Sequence, residues 1–367
     1  MKLIVNTVNL KLGGALQRSI SFLNELKIIG KDEYYIFYSD EVKNQINVES
    51  FPSNFKFYFF KYSPASLIKR KQIISYFNKL EQEINPDIVF SFVGPAYWRP
   101  KSIHLVGFGI PHIVYNDYLY VKKLPLKSKL EMLYKKFWTK YEADYFVVQT
   151  EDVKIRLSKV LNIPLEKIFL VPNGYGYQYK DKNLNLFQDT KVKGFLLLST
   201  YRPNKNFEII NDVINQLKKM NIKVEFHVTI NNSDYNKLFS KNKSWVINHG
   251  PVKNNDCPQL YAVSYAMFLP SHLECFSASY AEAMKMKRPI LTSDLSFAHT
   301  VCGDAALYFN NNDPTDIAKK IKLIIEDKEL YNKLVECGTE RLKTFFDSKQ
   351  QAMSYIKICN KIIEMSK

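Results

Sequence analysis

One stretch near the middle of the chain decides the fold class. Residues 147–174 read VVQTEDVKIRLSKVLNIPLEKIFLVPNG. A short apolar run at the start is followed by a segment with helical periodicity and then by a second apolar run. The order strand, helix, strand within about 30 residues is the βαβ unit from which parallel sheets are built.

The same alternation extends back to the amino terminus. Apolar runs predict strands at 2–5, 34–39, 55–60, 87–92, 102–107, 145–150 and 168–172. Helices are predicted between them at about 15–28, 65–83, 126–141 and 151–161. This spacing is typical of a doubly wound α/β fold.

A polar, glycine-bearing segment at 173–193 interrupts the rhythm and predicts a linker. Beyond it, strands are predicted at 194–199, 223–230, 245–249, 267–270 and 289–293, with a helix at 207–219 and a helical tail from about 313. We therefore expect two Rossmann-like lobes, 1–172 and 194–347, that face a cleft, with a last helix at 348–367 packing back on the first lobe.

Composition narrows the class of protein. Of the 367 residues, 46% are hydrophobic and 24% are charged, which is ordinary for a globular protein. No secretory leader and no apolar run long enough to span a membrane is found, so we expect a cytoplasmic protein. The five cysteines form no Cys-x-x-Cys pair, which argues against a disulfide framework or a zinc site.

The charge is strongly basic and unevenly placed. The formal net charge is +16, and residues 56–140 hold 15 Lys and Arg against 5 Asp and Glu, a local net of +10. A basic surface attracts nucleic acid, an anionic membrane or phosphorylated small molecules. The alternative is a chain that is simply rich in lysine.

Two loops that follow predicted strands carry candidate ligand-binding residues. Gly13 and Gly14 stand at a strand-to-helix turn, where glycines let a backbone approach a ligand closely or simply form the turn. Arg202 and Lys205, in the loop STYRPNKN at 199–206, precede a helix. Two cations beside a helix amino terminus suit a diphosphate, although they are also typical of a solvated surface.

A third loop is the most informative. Residues 270–284 read PSHLECFSASYAEAM, with Glu274 in a loop after a strand and Glu282 in the following helix. Carboxylates accept hydrogen bonds from vicinal hydroxyls of a sugar or ribose. The amides of Phe276 and Ser277 at the helix start can hold phosphate or hydroxyl oxygens. Two glutamates at this spacing also occur by chance on surface helices.

Together these blocks resemble the family-4 retaining glycosyltransferases of the GT-B fold, whose hallmark is a Glu, seven residues and a second Glu. PSHLECFSASYAEAM resembles that hallmark, and YRPNKN resembles the diphosphate site of the family. RPILTSDLSFAHTVCGDAALYFNNNDP resembles the strand and loop that come next, and HGPVKNNDCPQLYAVSYAMFLPS resembles the segment around the base. The likeness covers most of the chain and is most specific from 194 to 310.

The resemblance implies a role for each matching residue. Glu282 is expected on the ribose hydroxyls of a nucleotide-sugar and Glu274 on the hydroxyls of its sugar, with Arg202 and Lys205 on the diphosphate. In the first lobe, His112 is the nearest candidate for the histidine that contacts the donor sugar, with His104 one strand earlier. Further contacts with the donor are expected from Gly13, Gly14, Thr200, Gly250, Val252, Cys275, Phe276 and Ser277.

Some positions depart from the family pattern. Thr200 stands where the family often has an arginine, and Cys275 and Ser277 stand where it often has glycines. The chain contains no Asp-x-Asp sequence. This agrees with the metal independence of the family. The resemblance also implies that the anomeric configuration is retained, with the leaving phosphate helping to activate the acceptor. No metal and no cofactor is expected, and the nucleotide-sugar is a substrate.

The segment 126–141, LKSKLEMLYKKFWTKY, predicts a basic amphipathic helix rich in aromatic residues. Such a helix either lies on an anionic membrane or buries its apolar face as an ordinary helix of the lobe. Docking on the inner face of the plasma membrane would favour a lipid-linked saccharide acceptor over a free saccharide, as in surface polysaccharide assembly.

Two other functions compete with transfer of a hexose-type sugar. A nucleotide-sugar epimerase of the same fold would turn over the nucleotide-sugar without an acceptor. A non-catalytic basic module would bind nucleic acid in a salt-sensitive way and would not depend on Glu274 or Glu282. No known nucleic-acid-binding motif is found, so nucleic acid is not expected as a partner.

Overall fold

The structure is a computed structural model that describes residues 1–11, 13–179 and 192–366. It divides into two compact units, of which unit 1 comprises Met1–Asn173 with Phe346–Lys367 and unit 2 comprises Gly174–Phe345. Most of the predicted linker, residues 180–191, lies outside the described residues. Residues 174–179 belong to unit 2 and bury Tyr179 there.

Unit 1 is built on a seven-stranded parallel sheet. The strands are β1 (Lys2–Asn6), β2 (Glu33–Tyr38), β3 (Phe55–Phe59), β4 (Ile88–Ser91), β5 (Ile103–Gly107), β6 (Tyr145–Val148) and β7 (Ile168–Leu170). Their order across the sheet is β3-β2-β1-β4-β5-β6-β7. The chain therefore winds outward from β1 in one direction and then from β4 in the other, as a doubly wound fold requires.

The helices of unit 1 connect these strands. They are α1 (Gly14–Ile29), α2 (Asp40–Lys43), α3 (Arg70–Ile84), α4 (Pro111–Val114), α5 (Leu119–Lys122), α6 (Leu126–Glu142) and α7 (Glu151–Leu161). The helix of the opening stretch, α7, occupies its predicted residues. It begins where the Thr150 hydroxyl accepts a hydrogen bond from the amide of Val153 at 3.2 Å.

For one helix of unit 1, the predicted start lies several residues before the observed one. The segment 65–83 was expected to be helical throughout, but α3 begins only at Arg70. Pro64 precedes a turn closed by the amide of Ser66 donating to the Ser63 carbonyl at 2.9 Å, and the Arg70 guanidinium donates to the Pro64 carbonyl at 2.6 Å. The turn therefore satisfies its polar groups without a helix.

Unit 2 repeats the same architecture with six parallel strands. They are β8 (Lys193–Leu197), β9 (Val224–Val228), β10 (Val246–Asn248), β11 (Ala266–Leu269), β12 (Ile290–Ser293) and β13 (Ala306–Phe309), in the order β10-β9-β8-β11-β12-β13. The helices are α8 (Ile209–Lys219), α9 (Asn232–Phe239), α10 (Cys257–Val263), α11 (Ala278–Lys285), α12 (Ser296–Cys302), α13 (Pro314–Glu326) and α14 (Lys328–Leu342). The predicted fold class, two Rossmann-like doubly wound units, is confirmed.

The last helix, α15 (Ser348–Met365), belongs to unit 1 and packs against α1. Asp347 and Gln350 form a capping box at its start. The face that joins the core of unit 1 recurs at helical spacing and consists of Ala352, Tyr355, Ile358, Cys359 and Ile362.

All five cysteines carry free thiols, and four of them are buried. Within the described residues, no helix combines the length and apolar composition that crossing a bilayer requires.

Candidate active site at the carboxyl edge of the second sheet

The topology of unit 2 brings two loops together. In its strand order β8 and β11 are neighbours, and the chain winds away from them in opposite directions. In doubly wound sheets, ligands bind outside the carboxyl ends of the strands at such a switch point. The loop after β8 holds Thr200, Arg202 and Lys205, and the loop after β11 holds Glu274.

Two hydrogen bonds, one from a side chain and one from the backbone, hold these two loops against each other. The Asn204 side-chain amide donates to the Leu273 carbonyl at 2.9 Å, and the His272 amide donates to the Asn204 carbonyl at 2.8 Å. Asn204 therefore fixes the position of both neighbouring charged residues, Lys205 and Glu274. Sequence reasoning did not single out Asn204, although it lies inside the RPNKN block.

Lys205 and Glu274 form the central contact of the site. The Lys205 ammonium lies 2.5 Å from Oε1 of Glu274, and their side chains are only 14% and 11% exposed. A partly desolvated pair of this kind is stronger than a surface pair and costs more to break. The structure thus places a cation and a carboxylate, both predicted site residues, side by side at the switch point.

The other residues of the loop after β8 are more open. Arg202 is exposed, and its side chain forms no hydrogen bond or ion pair with the part of the chain that the structure describes. Thr200 is exposed as well. A cation that is free in this way can approach a phosphate without first breaking another contact.

The second predicted glutamate, Glu282, lies on α11 and is surrounded by tyrosines. The Tyr261 hydroxyl donates to Oε2 of Glu282 at 3.2 Å. The buried Tyr179 hydroxyl lies near the same carboxylate but has no hydrogen-bond partner among the described residues. Burial raises the pKa of Glu282 to about 7, and the two neighbouring hydroxyls oppose part of that rise.

Neither tyrosine was predicted from the sequence. Tyr179 lies inside the segment 173–193 that was predicted to be a linker, where no pattern points to burial. Tyr261 lies on α10, and its ring packs edge-on against that of Tyr179 with the centroids 6.0 Å apart. Together these rings form an aromatic wall around the Glu282 carboxylate.

The start of α11 supplies backbone donors at the same edge of the sheet. Ser277 occupies the N-cap position without a side-chain cap hydrogen bond, and no acidic residue lies in the first turn. Cys275 is buried, and the Phe276 ring packs edge-on against Phe345 at 6.0 Å. The first amides of such a helix favour an anion or hydroxyl oxygen.

Gly250 and Val252 follow β10, two strands from β8 at the same edge. The φ angle of Gly250 is 70°, a left-handed conformation that glycine adopts without strain. Its amide donates to Oδ1 of Asn248 at 3.2 Å, and Val252 is half-buried. This turn offers a mixed polar and apolar surface beside the strand ends.

Unit 1 has its own switch point between β1 and β4. The Asn9 side-chain amide crosses it and donates to the Pro95 carbonyl at 2.8 Å. Gly13, with φ of 82°, precedes α1, and Gly14 is the first residue of that helix. A Cβ added to Gly14 would meet no atom of the described residues within 4 Å, apart from its own neighbours and its own helix.

The two histidine candidates of unit 1 differ in their surroundings. His104 is fully buried between the Ser91 hydroxyl at 2.8 Å and the Glu142 carbonyl at 2.7 Å, and burial lowers its pKa to about 4. Both of its nitrogens are occupied, so His104 is a structural residue. His112, on α4, is half-buried; burial and then the charge of Lys135 lower its pKa.

Comparisons with known proteins agree with this architecture. Residues 180–341 match the family model described as Glycosyl transferases group 1. The O-antigen chain mannosyltransferase RfbU of Salmonella typhimurium is 27% identical over 180 residues, which cover 47% of this chain and 48% of that relative. The matched region thus spans about half the length of this curated relative.

Solved structures match over nearly the whole chain. The sucrose-phosphate synthase of Thermosynechococcus elongatus has a TM-score of 0.76 at 14% identity and covers 99% of both chains. HepE of Anabaena, solved with UDP and glucose, has a TM-score of 0.72 at 13% identity and covers 98% of this chain and 100% of its own. The chain therefore has the GT-B fold and contains a glycosyl transferases group 1 domain.

Proposed function

We propose that this protein is a family-4 retaining glycosyltransferase that moves a hexose-type sugar from a nucleotide diphosphate donor to a saccharide or lipid-linked saccharide. The observation that carries the proposal is the Lys205–Glu274 pair at the β8–β11 switch point, with Glu282 following on α11. These three residues of unit 2 supply a cation for a diphosphate and two carboxylates for hydroxyl groups.

In this proposal Lys205 and Arg202 bind the diphosphate. The ammonium of Lys205 is already held at the strand ends by Glu274, so little conformational freedom is lost when phosphate oxygens approach. As the bond from the sugar to the phosphate breaks, negative charge grows on the leaving diphosphate. A fixed cation at that place stabilises the charge most where it develops, which is how it accelerates transfer.

The carboxylates orient the rest of the donor. Glu274 accepts hydrogen bonds from the hydroxyls of the sugar, and Glu282 accepts them from the ribose. Because burial raises the pKa of Glu282 to about 7, its carboxyl is about half ionised at neutral pH when no ligand is bound and becomes fully ionised above that pH. The amides at the start of α11 contribute further donors to the sugar or phosphate.

The reaction exchanges one bond for another at the anomeric carbon. The bond from this carbon to the diphosphate oxygen breaks, and a bond to the acceptor oxygen forms with the same anomeric configuration. The proton of the acceptor hydroxyl passes to the leaving diphosphate, which acts as the base. We propose that no metal or other cofactor takes part, a proposal supported by the lack of an Asp-x-Asp sequence.

The class of donor and acceptor is proposed from the relatives. The Salmonella relative is named an O-antigen chain mannosyltransferase, and HepE was also solved with UDP-glucose. We therefore propose that this chain acts in surface polysaccharide or lipopolysaccharide assembly. It would work in the cytoplasm, at the inner face of the plasma membrane.

The test is a panel of nucleotide-sugars added to the purified full chain. A donor that binds only the folded protein raises its melting temperature, so a shift with one nucleotide-sugar identifies the donor. That donor is then incubated with saccharide and lipid-linked acceptors in the presence of EDTA, and the anomeric configuration of the product is determined. A panel without any shift, or turnover without an acceptor, would refute the proposal.

A further inference from the structure

The long helix α6 of unit 1 exposes its apolar side chains instead of burying them. Only Thr139 and Glu142 of its 17 residues are buried. The apolar positions recur at helical spacing along one stripe, and each is between 53% and 74% exposed. This stripe consists of Leu126, Leu130, Leu133, Phe137 and Tyr141. Of the two alternatives for this segment, an ordinary helix of the lobe with a buried apolar face is therefore wrong.

A second exposed apolar element lies beside this helix. In the turn before α3, Leu67 is 77% exposed and Ile68 is 92% exposed. Arg70 ties this turn to α6: its guanidinium donates to the Tyr134 hydroxyl and lies 5.6 Å from the centre of the Trp138 ring. The two elements therefore belong to one surface, which we call the apolar-basic face.

The same helix is firmly anchored at its other side. The Glu142 carboxylate accepts hydrogen bonds from the amides of Ala96 at 2.6 Å and Tyr97 at 2.8 Å, and the Tyr97 ring packs against Trp138 at 5.8 Å. Anchoring through the carboxyl end and the aromatic side leaves the apolar stripe facing outward. The exposure of the stripe is thus a consequence of how α6 is held.

Basic residues stand close in sequence to the exposed apolar side chains. On the turn, the start of α3, the end of α5 and α6 they are Lys69, Lys71, Lys122, Lys123, Lys127, Lys129, Lys135, Lys136 and Lys140. Glu131 is the only acidic residue between 88 and 141 besides Asp117. A surface that combines aliphatic side chains with lysines is suited to an anionic, apolar partner.

We propose that the apolar-basic face docks on an anionic lipid bilayer. The helix lies along the interface over its length of about 25 Å, its stripe enters the boundary of the acyl chains, and the lysines meet lipid phosphates. Leu67 and Ile68 insert beside it as a second wedge. Two other partners fit less well, because a second copy would bring like charges together and nucleic acid offers nothing apolar to exposed leucines.

The purpose of this surface rests on the proposed function, since docking would bring the enzyme to lipid-linked acceptors. Its test does not use activity. Purified full-length protein is sedimented with vesicles of phosphatidylcholine alone and with vesicles that also contain phosphatidylglycerol. We expect binding at least about tenfold stronger to the anionic vesicles, weakening as salt is raised.

Variants of the apolar-basic face should separate the contributions that its apolar and its basic residues make to vesicle binding. L67S/I68S and L130S/F137S should each lower the partition coefficient at least about tenfold, because buried apolar area is lost. K127Q/K140Q should lower it about fivefold per lysine. The matched controls lie on α15, where Met353 and Lys349 are also exposed, and M353S and K349Q should bind vesicles like the wild type.

Several outcomes would overturn docking. They are equal binding to neutral and anionic vesicles, face variants that bind like the controls, or a dimer in solution that L130S/F137S converts to a monomer. Salt-sensitive oligonucleotide binding that the face variants abolish would point to nucleic acid instead. The same variants should keep the melting shift with a nucleotide-sugar, so vesicle binding without any shift would refute only the proposed function.

Discussion

The Tyr261 hydroxyl donates a hydrogen bond to the Glu282 carboxylate across 3.2 Å, in a part of unit 2 where burial raises the pKa of that carboxyl to about 7. The contact links the protonation of Glu282 to whatever the carboxylate binds. Under the proposed function Glu282 accepts hydrogen bonds from ribose hydroxyls, and an ionised carboxyl accepts them more strongly than a protonated one. If Glu282 holds the ribose as proposed, the pH dependence of donor binding should report on this residue.

The first prediction concerns the affinity for the nucleotide-sugar as a function of pH. In the proposed site binding favours ionised Glu282, so affinity should level off above about pH 8 and should fall as pH is lowered through 7, by up to about tenfold per pH unit. Both phosphates of the donor are esterified on two sides and do not titrate in this range. Calorimetric titrations across this range measure the profile.

The control for this profile is Glu282→Gln, which removes the titrating group and keeps the shape of the side chain. Its affinity should be lower than that of the wild type at high pH and should not change with pH. A profile that Glu282→Gln leaves unchanged would assign the titration to another residue and would remove Glu282 from the ribose site.

The second prediction separates the role of the Tyr179 hydroxyl from the role of its ring. The hydroxyl is buried beside the Glu282 carboxylate but lies outside hydrogen-bond geometry with the described residues, so Tyr179→Phe should change the free energy of unfolding by less than about 1 kcal/mol. The same change removes a dipole that favours ionised Glu282. The pH midpoint of donor binding should therefore move upward.

Urea unfolding and the binding profile together check this prediction. Tyr62→Phe, at an exposed tyrosine of unit 1, is the matched control and should alter neither measurement. Loss of stability in Tyr179→Phe without a change of midpoint would show that the hydroxyl has a structural role only.

The third prediction is a double-mutant cycle on Lys205 and Glu274. Removing one partner of a buried pair costs about 3–5 kcal/mol, and the residual exposure of this pair places Lys205→Met and Glu274→Gln near the lower limit. The double variant should lose less than the sum, with a coupling of at least about 1 kcal/mol. Lys205→Met should also weaken donor binding at least about tenfold.

The matched control is the exposed pair Lys343–Glu340 on the surface of unit 2. Its cycle should give a coupling between about 0 and 1 kcal/mol. A coupling at Lys205–Glu274 that is no larger than this would contradict the view that the pair is desolvated. Unchanged donor affinity in a folded Lys205→Met variant would remove the lysine from the diphosphate site.

The sequence predicts the fold well because the fold depends on a repeated pattern. Apolar runs alternate with amphipathic helices over the whole chain. This alternation of strand and helix is what a doubly wound parallel sheet requires, so the fold class can be predicted without knowing the tertiary contacts. The early start predicted for α3 shows the limit of such patterns. In the sequence, Leu67 and Ile68 continue the helical spacing of the apolar residues of α3. In the structure they belong to the turn that contains Pro64, and both are exposed to solvent.

The residues of the candidate site likewise fall into those that the sequence predicts and those that it does not. Lys205, Glu274 and Glu282 stand in recognisable blocks, because each block is contiguous in the sequence. Tyr179 and Tyr261 reach Glu282 from segments more than 20 residues away, so no local pattern connects them. The exposure of α6 was equally hidden, since an amphipathic stripe has the same sequence whether it faces a core or a membrane.

The last prediction tests whether α15 stabilises unit 1. Tyr355 is buried against the rings of Phe22, Phe90 and Phe92, with centroids 5.2 to 5.7 Å away. Tyr355→Ala should lower the free energy of unfolding by about 3–5 kcal/mol, because it leaves a cavity among aromatic side chains. Met353, two residues earlier on the exposed face, is the control. Met353→Ala should change the free energy of unfolding by less than about 0.5 kcal/mol. Urea unfolding of the full chain measures both, and equal effects would mean that α15 contributes little to the core.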